Sequence, residues 1–126
     1  MYIKKSMSKN TYRNLLFELW RRLFMKIVNS NEFRNEISEG LVLVDFFATW
    51  CGPCKMLAPV LEDLSEEMGE KVKIIKVDID ESADLADEFR ISSVPTMMLF
   101  KDNKVVDTLV GFLPKEKIQQ VIEANI

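Results

Sequence analysis

The sequence contains no histidine and only two cysteines. The first absence removes a Cys–His nucleophile, a histidine general base and a Cys/His zinc site within one chain. The second leaves Cys51 and Cys54 as a local pair. Two thiolates supply only half of a four-ligand zinc or iron–sulfur site, so a metal would require a second chain, and no metal or bound cofactor is expected. A loop closed over two intervening residues removes little unfolded-state entropy, which makes the pair a poor structural staple. A reduced compartment, the cytoplasm, fits it better. Four glycines and four prolines are too few for a low-complexity chain. No apolar run approaches the roughly 20 residues of a transmembrane helix. What remains is a globular composition, 48% hydrophobic and 29% charged, with 126 residues for one core.

Charge is unevenly spread. Residues 1–25 hold Lys4, Lys5, Lys9, Arg13, Arg21 and Arg22 against the single acid Glu18, a balance of +5. The remaining eleven bases and nineteen acids give −8, so the net charge of −3 hides an acidic domain. Such a domain argues against nucleic acid as a partner. Within residues 1–24, Tyr12, Leu15, Leu16, Leu19, Trp20 and Leu23 fall on one helical stripe. We expect a basic amphipathic leader outside a domain of residues 25–126, with Met25-Lys26-Ile27-Val28 as the natural beginning after an early start codon. Membrane-surface contact, organelle targeting and docking to a partner are the alternatives for the leader. A secretory signal is not expected, because Glu18, Arg21 and Arg22 interrupt any apolar core and no small-residue cleavage site follows. The domain itself is expected to need no membrane and to be a monomer.

The stretch from Val42 to Lys55 organises the chain. Leu41 to Phe47 is apolar except for Asp45 and rich in β-branched and aromatic residues, which suits a central strand covered on both faces. Thr49 and Trp50 end it, and Pro53 fits the first turn of a helix, where a missing N–H costs nothing. Cys51 is thereby set among unpaired backbone N–H groups at the positive end of a helix dipole. Both favour thiolate over thiol, so Cys51 is expected to have a lowered pKa and to be nucleophilic at neutral pH. Cys54 lies about one turn on and can close a small ring with it. Nucleophile, resolving thiol and strand–turn–helix context together point to thiol–disulfide exchange.

Trp50-Cys51-Gly52-Pro53-Cys54-Lys55 resembles the active-site signature of the thioredoxin family, and the flanks agree. Asp45 is similar to the family's buried acid on the preceding strand, Pro59 to the proline inside its active-site helix, and Lys76 to the lysine near the acid. Val94-Pro95-Thr96 resembles the cis-proline loop that faces the sulfurs, and Gly111 the glycine of the substrate groove. The likeness runs from about Lys26 to Ile126.

The rest of the chain fits the same order. Lys26-Ile27-Val28 reads as a short strand. Asn29-x-x-Glu32 resembles a capping box opening a helix through about Ser38. The active-site helix should bury Met56, Leu57, Val60, Leu61 and Leu64, kink at Pro59 and end at Gly69. Val72–Val77 is the next strand. Asp78-Ile79-Asp80-Glu81-Ser82 lacks the glycine and terminal glutamate of an EF-hand, so a solvated loop leads into a helix through about Phe89. Met97–Lys101 and Lys104–Val110 form a hairpin around Asp102-Asn103, and Pro114 opens a final helix with Ile118, Val121 and Ile122 inward. The expected fold is α/β, βαβαβαββα, with helices on both faces of a mixed central sheet; the resemblance makes this the thioredoxin fold.

The resemblance implies a reductase of protein disulfides, with Cys51 attacking and Cys54 resolving. It further implies that Asp45 moves the proton, Lys76 tempers the acid, and a thioredoxin reductase returns the electrons. It also implies substrate docking at Trp50, Gly52, Pro53, Val94, Pro95 and Gly111. Each residue has a plainer alternative: Asp45 as a strand-end acid bonded to local backbone, Lys76 as a solvated edge residue, Pro95 as an ordinary loop proline, Trp50 as packing. Phe47 stands where the family often has Trp. The Gly52-Pro53 dipeptide resembles reducing members of the family, which leaves an oxidase or isomerase as the enzymatic alternative. A binding module without redox turnover is the non-enzymatic one.

Overall fold

Leu41–Phe47 forms strand β1, buried on both faces and central to the sheet. In this computed structural model, which describes residues 11–16 and 25–126, β1 pairs in parallel with β2 (Lys73–Asp78). On its other side it pairs antiparallel with β3 (Thr96–Lys101), and β4 (Lys104–Val110) lies outside β3. The order is β2-β1-β3-β4. A mixed sheet with one parallel pair and a terminal antiparallel hairpin is what the element pattern predicts.

Alternation along the strands sorts the core into two layers. Leu43, Ile74, Met97 and Leu99 face helix α2 (Gly52–Met68) and helix α4 (Lys115–Ala124), where Leu57, Leu61, Leu64, Ile118 and Ile122 are fully buried. Val42, Val44, Phe46, Ile75, Val77 and Phe100 face helix α1 (Ser30–Glu36) and helix α3 (Ala83–Glu88) through Phe33, Ile37 and Leu85. Each fully buried Leu, Ile or Phe contributes about 1.5–3 kcal/mol. The second layer is also aromatic, with Phe89 packed tilted against Phe33 and Phe46 and edge-on to Phe100 at 5.5–6.0 Å between centroids. Arg34 covers Phe33 and Phe89 and pairs with Glu88, tying α1 to α3.

Local signals set the element ends. Asn29 and Glu32 form the expected capping box: the Glu32 N–H donates to Asn29 Oδ1 at 3.0 Å and the Asn29 N–H to Glu32 Oε1 at 3.2 Å. Asp102 and Asn103 both take positive φ, 47° and 74°, as a two-residue hairpin of right-twisted strands requires. Pro59 sits inside α2 without ending it.

Two expectations are corrected. Lys26-Ile27-Val28 is not a strand but a single parallel bridge, Ile27 to Lys76, held by Lys76 N–H to Lys26 O at 2.9 Å and Val28 N–H to Lys76 O at 2.8 Å. Asn29 turns the chain into α1 before a longer ladder can form. Met56 is not buried but 61% exposed, and Val60 is only half-buried. The inward stripe of α2 runs through Cys54, Leu57, Leu61, Leu64 and Met68, and Met56 falls about 100° away from Leu57.

Residues 11–16 are helical, with Tyr12, Leu15 and Leu16 exposed; Leu19, Trp20 and Leu23 of the expected stripe lie outside the described residues. Met25 packs on the α2/α4 layer, and Lys26 pairs with Glu36 at 2.7 Å. A chain shortened to begin at Met25 is therefore expected to melt within about 2 °C of the full chain, equivalent to roughly 0.5 kcal/mol. Thermal unfolding checks this; a loss of several degrees would show that residues 1–24 brace the domain.

Candidate active site

β1 ends, the chain turns through Ala48, Thr49 and Trp50, and α2 begins with Cys51 as its N-cap. The Cys51 backbone is extended (φ −88°, ψ 113°), which aims its sulfur back over the helix start. The Cys54 N–H donates to that sulfur at 3.1 Å. Pro53 occupies the first turn, and no acidic residue there competes for the orphan N–H groups. Cys51 and Cys54 are joined by a disulfide with their Cα atoms 5.3 Å apart.

Cys51 caps the helix as expected, yet both cysteines are only 4% exposed. The N-cap geometry turns the Cys51 sulfur inward, into a small cluster with Phe47 and Ala48 against which Ile79 and Val94 pack. What separates the two thiols is not exposure in the disulfide form but position. Cys51 Sγ receives a helix-start N–H, whereas Cys54 lies within the helix on its buried face.

Behind the pair lies Asp45. Alternation puts its side chain on the α2 face, after Leu43 and before Phe47, with Lys76 and Met97 as its cross-strand neighbours. It is fully buried, and neither carboxylate oxygen has a hydrogen-bond partner. That excludes the alternative of an acid bonded to local backbone. Burial disfavours the charged form and pushes its pKa up to about 6, while the positive charge of Lys76 pulls the other way. Lys76 is half-buried, with its ammonium 4.4 Å from the centre of the Phe47 ring, rather than a solvated edge residue.

The Val94–Pro95 peptide is cis, and Val94 O lies 3.6 Å from Cys51 Sγ. Pro95 O accepts the Gly111 N–H at 2.8 Å, which joins this loop to the end of β4. Gly111 has φ +88°, while a Cβ there would meet nothing within 4 Å. Its glycine is thus demanded by backbone conformation and not by space. Gly52 and Pro53 are exposed beside the sulfurs, and Trp50 is 66% exposed.

One participant was not foreseen. The Trp50 indole N–H donates to Asp80 Oδ2 at 2.9 Å, across 30 residues of sequence. Asp80 reads as one acid of a solvated loop, and nothing in its spacing names Trp50 as its partner. Among the described residues, no three His, Cys, Asp or Glu side chains converge in a group that could hold a metal ion, and no helix is long and apolar enough to cross a membrane.

Comparison with known proteins places the same stretch of the chain in one family. The family model described as Thioredoxin matches residues 24–124. The chain is 50% identical over 104 residues to the thioredoxin of Bacillus subtilis (strain 168), covering 81% of this chain and 100% of that protein. It is equally 50% identical, over 102 residues, to the thioredoxin of Listeria monocytogenes, covering 81% and 99%. A solved chain from work on the thiol-resolving mechanism of a yeast mitochondrial 1-Cys peroxiredoxin via glutathione/thioredoxin systems superposes with a TM-score of 0.73. It is 34% identical, with 79% of this chain and 94% of that one covered. The family match takes in every element from the Ile27 bridge to α4, and it includes the strand–turn–helix that holds the two sulfurs. On that extent of agreement the chain belongs to the thioredoxin family and is a thiol–disulfide oxidoreductase, with Cys51 and Cys54 as its redox pair.

Proposed function

We propose that this protein reduces disulfides of other proteins by a two-step exchange in which Cys51 attacks and Cys54 resolves. The observation that carries the assignment is the Cys54 N–H donated to the Cys51 sulfur at the start of α2. A sulfur that already accepts a helix-start N–H is the one whose negative charge is stabilised. The Cys51 thiolate attacks one sulfur of the substrate disulfide, forms a mixed disulfide and releases the other sulfur as a thiolate, which takes up a proton. Cys54 then loses its proton to Asp45 and attacks Cys51 Sγ, which releases the second substrate sulfur as a thiolate that takes up a proton and leaves the Cys51–Cys54 disulfide. Two electrons have passed to the substrate. A thioredoxin reductase returns them, and no bound cofactor is needed at this site.

An acid near pKa 6 can both accept and give up a proton at neutral pH, which supports Asp45 in that role. Lys76 tempers its charge. The backbone edge at Val94 and Pro95, with Gly111 behind it, offers hydrogen bonds to an extended substrate strand, and Trp50, Gly52 and Pro53 give it an exposed surface to lie on. The Gly52-Pro53 dipeptide favours the reducing direction over an oxidase or isomerase. The acidic domain favours proteins over nucleic acid as partners, and the local cysteine pair fits the cytoplasm, where the protein would act as a monomer. Residues 1–24 are a leader outside the domain of residues 25–126.

Cys54→Ser is expected to accumulate covalent mixed disulfides with target proteins, while Cys51→Ser traps few; non-reducing gels read the difference. Equal trapping by the two variants would overturn the order of attack.

Asp45 also sets a pH dependence of stability. Its folded-state pKa of about 6 lies above the unfolded value of about 3.9, so the fold favours the neutral carboxyl. That contribution is complete below about pH 4 and is lost as pH rises through about 6, leaving a cost of roughly 3 kcal/mol above neutrality. Asp45→Asn stays neutral throughout. Its stability advantage should thus be near zero at about pH 4, grow to about that size by pH 7.5, and be accompanied by slower resolution of the mixed disulfide. Denaturant midpoints at the two pH values test the first part. A normal rate of substrate reduction across about pH 6–8 would sink the second.

A further inference from the structure

The Lys76 side chain does not take the partner that its register offers. Its backbone lies between β1, where it is opposite Asp45, and the Ile27 bridge, where the Lys76 N–H donates to Lys26 O at 2.9 Å. The side chain is thereby set on the α2 face beside Asp45, with Phe47 diagonally beyond it on β1 and Asp78 two residues on along β2. Two carboxyl groups and one ring thus surround a single ammonium. It takes the ring: Lys76 Nζ lies 4.4 Å from the centre of Phe47, while neither Asp45 oxygen has a hydrogen-bond partner.

The state of each neighbour accounts for this. Asp78 is already engaged, its Oδ1 accepting the Asp80 N–H at 2.8 Å and the Glu81 N–H at 3.4 Å. Asp45 is fully buried, so an ammonium that paired with it would have to leave water altogether. The face of Phe47, itself 8% exposed, attracts a cation through its quadrupole and lets the half-buried lysine keep part of its hydration. Ring and acid therefore compete for one charge. The other elements packed on this side bring Met97 from β3, Ile118 and Ile122 from α4, and the two cysteines from α2, so Lys76 is the cation that acts on the acid.

We propose that Phe47 is a positioning residue for proton transfer: its ring holds the Lys76 ammonium off the Asp45 carboxyl, so that the acid feels the cation without pairing with it. This rests on the reading of Asp45 as the group that takes the Cys54 proton. A direct ion pair would keep Asp45 charged with its oxygens occupied, a poor acceptor for that proton. With no cation near, burial would act unopposed and keep the acid neutral to higher pH. The ring sets the state between the two.

The test is a titration of the Asp45 side-chain carboxyl by carbon NMR in the disulfide form, where neither cysteine titrates, with the signal assigned by Asp45→Asn. Phe47→Leu and Phe47→Met remove the ring face but leave an apolar side chain, the second covering the case in which the first weakens the fold. Each should lower the Asp45 titration by about one pH unit, as Lys76 turns onto the carboxylate. Lys76→Met should raise it, and Phe47→Leu added to Lys76→Met should move it no further, because the ring acts through the cation. Phe47→Trp, which keeps a ring face, should restore the native titration. On rapid mixing of the reduced protein with an aromatic disulfide, the second phase, attack by Cys54, should slow about 3- to 10-fold near pH 7 in Phe47→Leu and Phe47→Met. An unmoved titration in both variants overturns the proposal. So does an equal fall in the Lys76→Met background, which would trace the effect to water entering beside the acid. A second phase that keeps its rate while the titration moves overturns it as well; if Asp45→Asn also keeps that rate, the reading of Asp45 is what has failed, and the proposal falls with it.

Discussion

The Cys54 N–H pointing at the Cys51 sulfur is the contact on which the site depends. It exists because β1 stops one short turn before α2 begins, and because Cys51, as N-cap, has an extended backbone that folds its side chain over the helix start. An N-cap is normally Ser, Thr, Asp or Asn, whose oxygen satisfies an orphan N–H. Here sulfur takes that place, and the same donors that would stabilise a helix are turned toward a reactive atom. Val94 O closes the other side of the sulfur at 3.6 Å, so the atom lies in a shallow, mostly apolar setting with one polar edge on each flank.

The two faces of the sheet are not equivalent. The α1/α3 face packs an apolar and aromatic cluster, and the buried Thr96 hydroxyl on that side is satisfied by donating to Ser93 O at 2.7 Å. The α2/α4 face carries a carboxyl with neither oxygen paired, sandwiched between the main core at Leu43 and the cysteine cluster at Phe47. A buried polar group without a partner is destabilising. The neighbouring Lys76 offsets only part of this, since the acid still sits at a pKa of about 6. Extensive burial of Leu, Ile and Phe on both faces is what allows the fold to carry such a group.

Much of this was legible because it is local. The apolar run of β1, the Asn29/Glu32 capping box, the left-handed Asp102-Asn103 turn and the helix start at Pro53 each depend on a few adjacent residues. The misreadings come from contacts outside that range. Whether Lys26-Ile27-Val28 extends as a strand depends on how far it can follow β2 before Asn29 turns it away. Met56 has the right composition for a core but sits at the wrong angle, which four apolar neighbours at mixed spacing do not reveal. The inward turn of the Cys51 sulfur needs coordinates.

By itself the sequence determined the order of elements from α1 onward, the helix-start placement of the two cysteines and the single acid inside an otherwise apolar strand. These follow from chain connectivity and side-chain chemistry at neighbouring positions. Only the tertiary structure decided that Asp45 has no hydrogen-bond partner, that Lys76 faces the same side, that Val94 O approaches the sulfur, and that Asp80 holds Trp50. Each of those is a meeting of residues about 30 or more apart in sequence or an absence of one, and neither is written in local spacing. It takes the pairing of β1 with β2 and β3 to bring their loops to one end of the sheet.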